Sequence, residues 1–317
     1  MKITATTSGG AAHTLGDPVS LQMDRAFDIP ADRFEGVFPL DGILPEFHEL
    51  RVERDGRDVF FGVVDEQSAE YGQNGALLHL SARSLAARLL DNEAMVQNYQ
   101  TPTLLEIFRR HAKPYGIVGL RGSSLAYNGT LTLTKGISEW GALTRFCKGV
   151  GNLNPRVTPD RYLDVRLTTG NEVTTYSNTA VDGVRYTSLA HTVRRCAPVS
   201  EVVLKSESGG TYEFSEINRI VRNSGIQRRR LLEIKDNPGA VQRSARELMR
   251  ESNAEYIQYF LRVPSGHFPE PGSRARVIDG ALGTVAGLTV SEVRYRLSAQ
   301  GEWCDVTLIP AAHQTLT

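Results

Sequence analysis

Seven histidines, at positions 13, 48, 79, 111, 191, 267 and 313, are the first residues to weigh, because imidazole serves both as metal ligand and as general base. No two stand four apart and none belongs to an HExxH motif, so the spacing supports no zincin-type centre. His111 falls in a strongly patterned helical stretch and reads as a packing residue. Cys147, Cys196 and Cys304 lie far apart, with no CxxC spacing and no nucleophile signature, as expected of reduced, packed thiols. No GxSxG elbow, GxxxxGK[ST] loop or strand-borne GxGxxG is present. Gly149-Val150-Gly151-Asn152 is too short to cradle a phosphate and reads as a helix stop. Asp65 and Glu66 could be imagined as a glycosidase pair, but that mechanism needs a carboxyl separation that adjacency in sequence does not supply. With 36 acidic residues, such pairs arise by number alone. The expectation is therefore a non-enzymatic chain with no catalytic, cofactor-binding or metal-binding residues.

The densest charge cluster is Arg228-Arg229-Arg230, with Arg219 and Arg222 nearby. A solvated strand or loop face explains such a run most simply. Arginine's planar fork also pairs carboxylates in a bidentate manner, which makes these three the candidate subunit-interface residues, facing an acidic surface. Nucleic-acid contact is a third option, disfavoured by the charge of the whole. Lys+Arg and Asp+Glu both number 36, and that balance argues against a general nucleic-acid or membrane-surface binder, which would need a positive field. Met1–Gly10 has no apolar core and no window approaches 18 apolar residues, so neither a Sec-type leader nor a membrane span is expected. Export, if any, would be inside an assembly.

The elements that must carry these residues are mostly strands. At 317 residues the chain has room for two domains, and its 29 glycines and short apolar runs read as β-rich. Glu49–Glu53 and Asp58–Val64 flank Arg54-Asp55-Gly56-Arg57, where Asp-Gly supplies the positive φ angles of a tight hairpin turn. Glu66–Tyr71 and Ala76–Ala82 flank a second turn, Gln73-Asn74-Gly75, and extend this into a β-meander. Helical spacing marks Ser84–Glu93, then a stretch from Thr101 as N-cap and Pro102 at the first helical position to Gly116, then one from Ser138 presenting Trp140, Leu143, Phe146 and Cys147. Strands resume over 156–214, residues 217–235 fit no single pattern, and a helix is expected over Ala240–Asn253. Five closing strands run from Glu255 to Ile309, interrupted by a Pro- and Gly-rich loop from Pro264 to Gly272.

Two of these β segments lie over one another. Ten positions separate Val52 from Gly62 and Val277 from Gly287, each pair bracketing a glycine-containing turn and followed by a long strand and a further turn. An internal duplication would explain the match, although any two meanders share part of it.

The order of features in residues 45–168 resembles a known family. An Asp-Gly hairpin leads into Phe61-Gly62-Val63-Val64, then Leu78-His79-Leu80-Ser81-Ala82-Arg83-Ser84 and a helix ending Leu-Leu-Asp at Asp91. Thr101-Pro102-Thr103-Leu104-Leu105, Tyr115-Gly116-Ile117, Ser138-Glu139-Trp140 and Arg161-Tyr162-Leu163 follow. This is similar to the baseplate hub proteins of contractile phage tails and defective-prophage particles, the late control protein D family, with a related module in type VI secretion spikes. Ala82 departs from the pattern, since a glycine is common there. The resemblance implies a mainly β fold with inserted helices (α+β). It implies two β-barrel-like hub domains, here 1–95 and 189–317, with a helical and β insertion over 96–188. It implies a homotrimer joining the tail tube protein to the central spike protein, with tape measure and baseplate wedge proteins as further partners and no membrane or specific nucleic acid. The location would be the tail baseplate of a virion or phage-like particle, assembled in the bacterial cytoplasm. The alternatives are a cell-wall-directed all-β hydrolase or carbohydrate-binding module, or a hexameric tail-tube or distal-tail subunit.

Overall fold

A computed structural model describes residues 1–316 except 74, 123, 152, 167–168, 207–210, 213, 235–237 and 265. Asn74, in the second expected turn, lies outside the described residues, as does the side chain of Val241 in the helix expected over 240–253. The chain is mainly β with inserted helices, as the sequence predicts. It divides into two compact units: Met1–Leu167 with Pro264–Pro271 and Glu292–Asp305, and Thr168–Val263 with Gly272–Ser291 and Val306–Thr317.

The first unit is built on an antiparallel sheet. From the Glu292–Ser298 part of one long strand, the order continues through Ser20–Ala26, Arg33–Pro39, Gly75–Ser84, Arg57–Gly72, Glu49–Arg54, Lys2–Thr6 and Ala12–Thr14. Alternation explains its single core: Ile3 and Ala5, Leu21 and Met23, Phe34 and Phe38, Leu50 and Val52, and Leu78, Leu80 and Ala82 all point inward and are buried. The first hairpin turns as expected, with Asp55 at φ 51° and Gly56 at 74°. Arg33–Pro39 has no counterpart in the sequence reading, because Gly36 and Pro39 mask its alternation. Gly36 is needed there, since a Cβ would come within 2.7 Å of the Phe38 ring.

Helices Ala86–Asp91, Leu104–His111 and Glu139–Gly151 form a second core in this unit around Leu89, Leu104, Ile107, Leu143 and Phe146. The first is shorter than its pattern suggests. Ser84 still belongs to a strand, its N–H donating to the Asp32 carbonyl at 2.8 Å and its hydroxyl accepting from the Asp32 N–H at 3.0 Å. The second starts two residues later than expected. Thr103, not Thr101, is the N-cap, its hydroxyl accepting from the Glu106 N–H at 3.2 Å, while Thr101 sits in a turn at φ 43°.

In the second unit Thr169–Ser177 pairs in parallel with Ser273–Asp279, which pairs antiparallel with the start of Gly283–Ser298. Ser188–Val193 pairs with Ile257–Pro264. A separate sheet of Phe214–Ile217, Glu201–Ser206 and Arg229–Ile234 is covered on one face by the Pro238–Ala254 helix, burying Val202, Leu204, Ala245 and Met249. The ambiguous stretch 217–235 thus holds the end of one strand, a short helix Arg219–Asn223 and the whole of the strand Arg229–Ile234.

The suspected duplication has a structural correlate in element lengths. Strands of 6, 16 and 10 residues (Glu49–Arg54, Arg57–Gly72, Gly75–Ser84) match strands of 7, 16 and 10 residues (Ser273–Asp279, Gly283–Ser298, Gly301–Pro310). The aligned glycines differ in role. Gly62 faces Leu50 with no room for a Cβ, whereas Gly287 takes φ 69° where the pairing register shifts between Ala275 and Val277.

Candidate assembly surfaces

The arginine run opens an edge strand of the small sheet in the second unit. Arg229 pairs across to Glu201, and Glu201 pairs on its other side with Ile217, so all three strands meet at one end. Arg228 is half-buried and closes that end: its guanidinium donates to the Ala197 carbonyl at 3.0 Å and its N–H to the Ser200 hydroxyl at 2.8 Å. Arg229 lies on the face away from the helix, exposed and paired with Glu201 at 2.9 Å. Arg230 points to the other side, as strand alternation requires, and is exposed. The three therefore do not act as one claw.

They do belong to a larger basic end. Arg219 and Arg222 sit on the short helix that follows the Phe214–Ile217 strand, capped by the Asn218 side chain. Arg195 donates to the Ser224 carbonyl at 2.9 Å. Among the described residues Arg195, Arg219, Arg222, Arg228 and Arg230 form no ion pair; the guanidinium groups of Arg195, Arg228 and Arg230 donate to backbone carbonyls. Beside them opens a groove of about 650 Å³, lined by Ile217, Ile220, Met249 and Leu316, with Arg219, Glu216 and Arg246 at its polar side. Sequence reasoning found the arginines but not the groove, whose walls come from residues up to 101 positions apart (Ser215 and Leu316).

In the first unit, the sheet face opposite the core carries a polar groove of about 730 Å³. Strand register lines up Arg296, Gln22, Glu35 and Ser81 in one row, and Ser20, Val37 and His79 in the next. Asp65 is held by Arg83 at 2.6 and 2.8 Å, and the same guanidinium holds Asp91, so Asp65 is occupied in a surface clasp. It stands at a bulge between Val64 and Glu66.

His111, expected to be a packing residue, is buried and satisfied on both nitrogens. Nδ1 faces Glu139 Oε2 at 2.5 Å, Nε2 faces the Tyr99 hydroxyl at 2.9 Å, and Tyr115 donates to the other Glu139 oxygen at 2.9 Å. A buried polar group with every partner in place rigidifies a core. The other ring contacts are packing as well: His191 stacks on Tyr259 and His313 on Tyr256. Among the described residues no group of three or more His, Cys, Asp or Glu is spaced to hold a metal. Burial pushes the Cys147 and Cys304 thiols up to about 12, leaving them protonated and unreactive. Cys196 is exposed.

No family model matches the chain, and no curated protein matches it by sequence. Solved structures do. A tail protein from Neisseria meningitidis MC58 superposes with a TM-score of 0.79 over 99% of this chain and 98% of its own, at 23% identity. The 43 kDa tail protein of prophage MuSo2 from Shewanella oneidensis gives 0.81 over 98% and 99%, at 14% identity. An E. coli type VI secretion component, itself described as similar to T4 bacteriophage tail proteins, gives 0.59 over 93% and 73%, at 12% identity. The chain has, from end to end, the fold of these phage tail and type VI secretion proteins.

Proposed function

We propose that the chain is a structural baseplate hub subunit of a contractile tail or phage-like injection particle, joining the tail tube to the central spike as a homotrimer, without enzymatic activity. The observation that carries this is the full-length likeness to two tail proteins, covering 98% or more of both partners in each case. The two meanders of matching strand lengths support it further. Two similar β modules per subunit, in a threefold ring, offer six near-equivalent faces to a sixfold tube. Tape measure and wedge proteins are secondary partners in this reading, and the particle's baseplate is the location, with assembly in the bacterial cytoplasm.

A hub works through closed cyclic interfaces, which in obligate assemblies bury about 2,000 Å² or more. Light scattering of the purified chain, alone and mixed with the spike protein of the same particle, should give the mass of a trimer in at least the second case. A chain that stays monomeric in both overturns the reading. A hexamer would instead favour a tail-tube or distal-tail subunit.

A further inference from the structure

Two exposed features of the chain carry opposite charge beside an apolar group. The first is the loop Asp41–Glu46, which presents Ile43 at 94% exposure between exposed Asp41 and Glu46. Neither acid has a hydrogen-bond or ion-pair partner among the described residues. The loop is nonetheless held in place. The Gln67 side chain accepts from the Phe47 N–H at 2.9 Å and donates to the Pro45 carbonyl at 3.0 Å, and the Leu40 N–H donates to the Ala76 carbonyl. An apolar tip is thus displayed on a fixed support rather than on a loose strand of chain.

The second is the groove of about 650 Å³ with apolar walls at Ile217, Ile220, Met249 and Leu316. Arg219 stands exposed at its side without a carboxylate partner among the described residues, whereas Arg246 is held by Glu216 at 3.5 Å. The segments that carry the two features differ in charge along the sequence although the chain is neutral. Residues 1–82 carry fourteen acidic and six basic side chains, while residues 219–230 carry five arginines and no acid.

We infer that the Asp41–Glu46 loop of one copy docks into the Arg219-flanked groove of a neighbouring copy, with Ile43 in the apolar slot and Asp41 and Glu46 facing the arginines. This rests on the self-assembly reading above and names a contact within it. Knob and groove are different surfaces, so the contact is head-to-tail, and a head-to-tail contact closes into a ring when its rotation allows. An apolar centre rimmed by opposite charges is the usual anatomy of a protein contact: the centre supplies affinity and the rim supplies register.

The test is sedimentation equilibrium of the full chain, with the spike protein added if the wild type needs it to assemble. Ile43→Arg and Arg219→Glu are surface changes that should leave the melting curve unaltered and each weaken self-association about tenfold or more. Asp41→Arg and Glu46→Arg combined with Arg219→Glu restore opposite charges and should recover most of that loss. Self-association unchanged in both single variants overturns the docking contact and leaves the trimer reading standing. Variants that still self-associate but no longer bind the spike protein assign the groove to that partner and likewise overturn it. A wild type that never self-associates, with or without the spike protein, removes the trimer reading and this contact together.

Discussion

Arg25 is wholly buried, and what keeps it charged there is a four-residue knot. It donates to Glu270 at 2.6 and 3.2 Å and to Asp32 at 3.2 Å, while Arg156 donates to the Pro271 carbonyl at 3.0 Å and lies 3.6 Å from Glu270 and 3.7 Å from Asp32. Two positive and two negative groups cancel, as burial demands. Burial pushes the Arg156 guanidinium below its ordinary value, with Asp32 opposing and Arg25 adding to the shift. Burial also works against the Glu270 carboxylate, but Arg25 and Arg156 outweigh it and hold Glu270 below the usual range. An acid with a depressed folded value stabilises above its unfolded value and loses that contribution as pH falls through the folded one. The stability gap between wild type and Glu270→Gln should therefore be constant above about pH 5 and shrink below about pH 4. Calorimetry across that range checks it, and equal stability at pH 7 would rule out the role given to this pair. His267 and His313 carry the opposite proton chemistry with the same outcome. Burial lowers both, so they fold as neutral rings and disfavour folding as pH drops below about 6.5, in wild type and variant alike.

At the scale of elements, the turn chemistry of Asp55-Gly56 was legible because φ > 0 at two successive positions is a local demand. Thr101-Pro102 misplaces the start of the second helix; the local signal that fits the structure is Thr103-Leu104-Leu105-Glu106, with Thr at the cap and Glu three residues on. Gly62 carries no such local signal. Its φ is ordinary, and only the strand beside it explains the residue: a Cβ there would stand 2.0 Å from the Arg83 carbonyl oxygen. Gly62→Ala should cost about 3 kcal/mol, because the nearest clash is with the Arg83 carbonyl, which is backbone and cannot yield cheaply, and the buried Phe60 ring is crowded as well. Gly280→Ala, in open space without a positive φ, should stay within about 0.5 kcal/mol of wild type. Denaturant titrations of the two variants provide the comparison, and equal losses would discard the close-approach explanation.

For the whole molecule, the charge balance of 36 against 36 conceals a separation between an acidic first quarter and an arginine-rich later segment. Neutral totals describe solubility and long-range steering, whereas local surpluses decide contacts. If the chain is a hub and not a wall-directed hydrolase, purified sacculi incubated with it should release no muropeptides. Release that disappears on replacing one acidic residue would favour the enzyme instead. The sequence alone determined the β-rich class, the meander at 49–84, four of the helices and the absence of familiar catalytic motifs, because periodicity, turn residues and motif spacing are local properties. It also carried, through the order of features in 45–168, the resemblance that the solved tail proteins bear out at the level of fold. The tertiary structure alone decided that Asp65 is clasped by Arg83, that His111 is a satisfied core residue, and that Arg25 meets Glu270 across 245 positions. It also revealed that Arg219 and Arg246 line a groove with apolar walls. Those outcomes depend on which distant segments the sheets bring side by side, and no local pattern along the chain encodes that pairing.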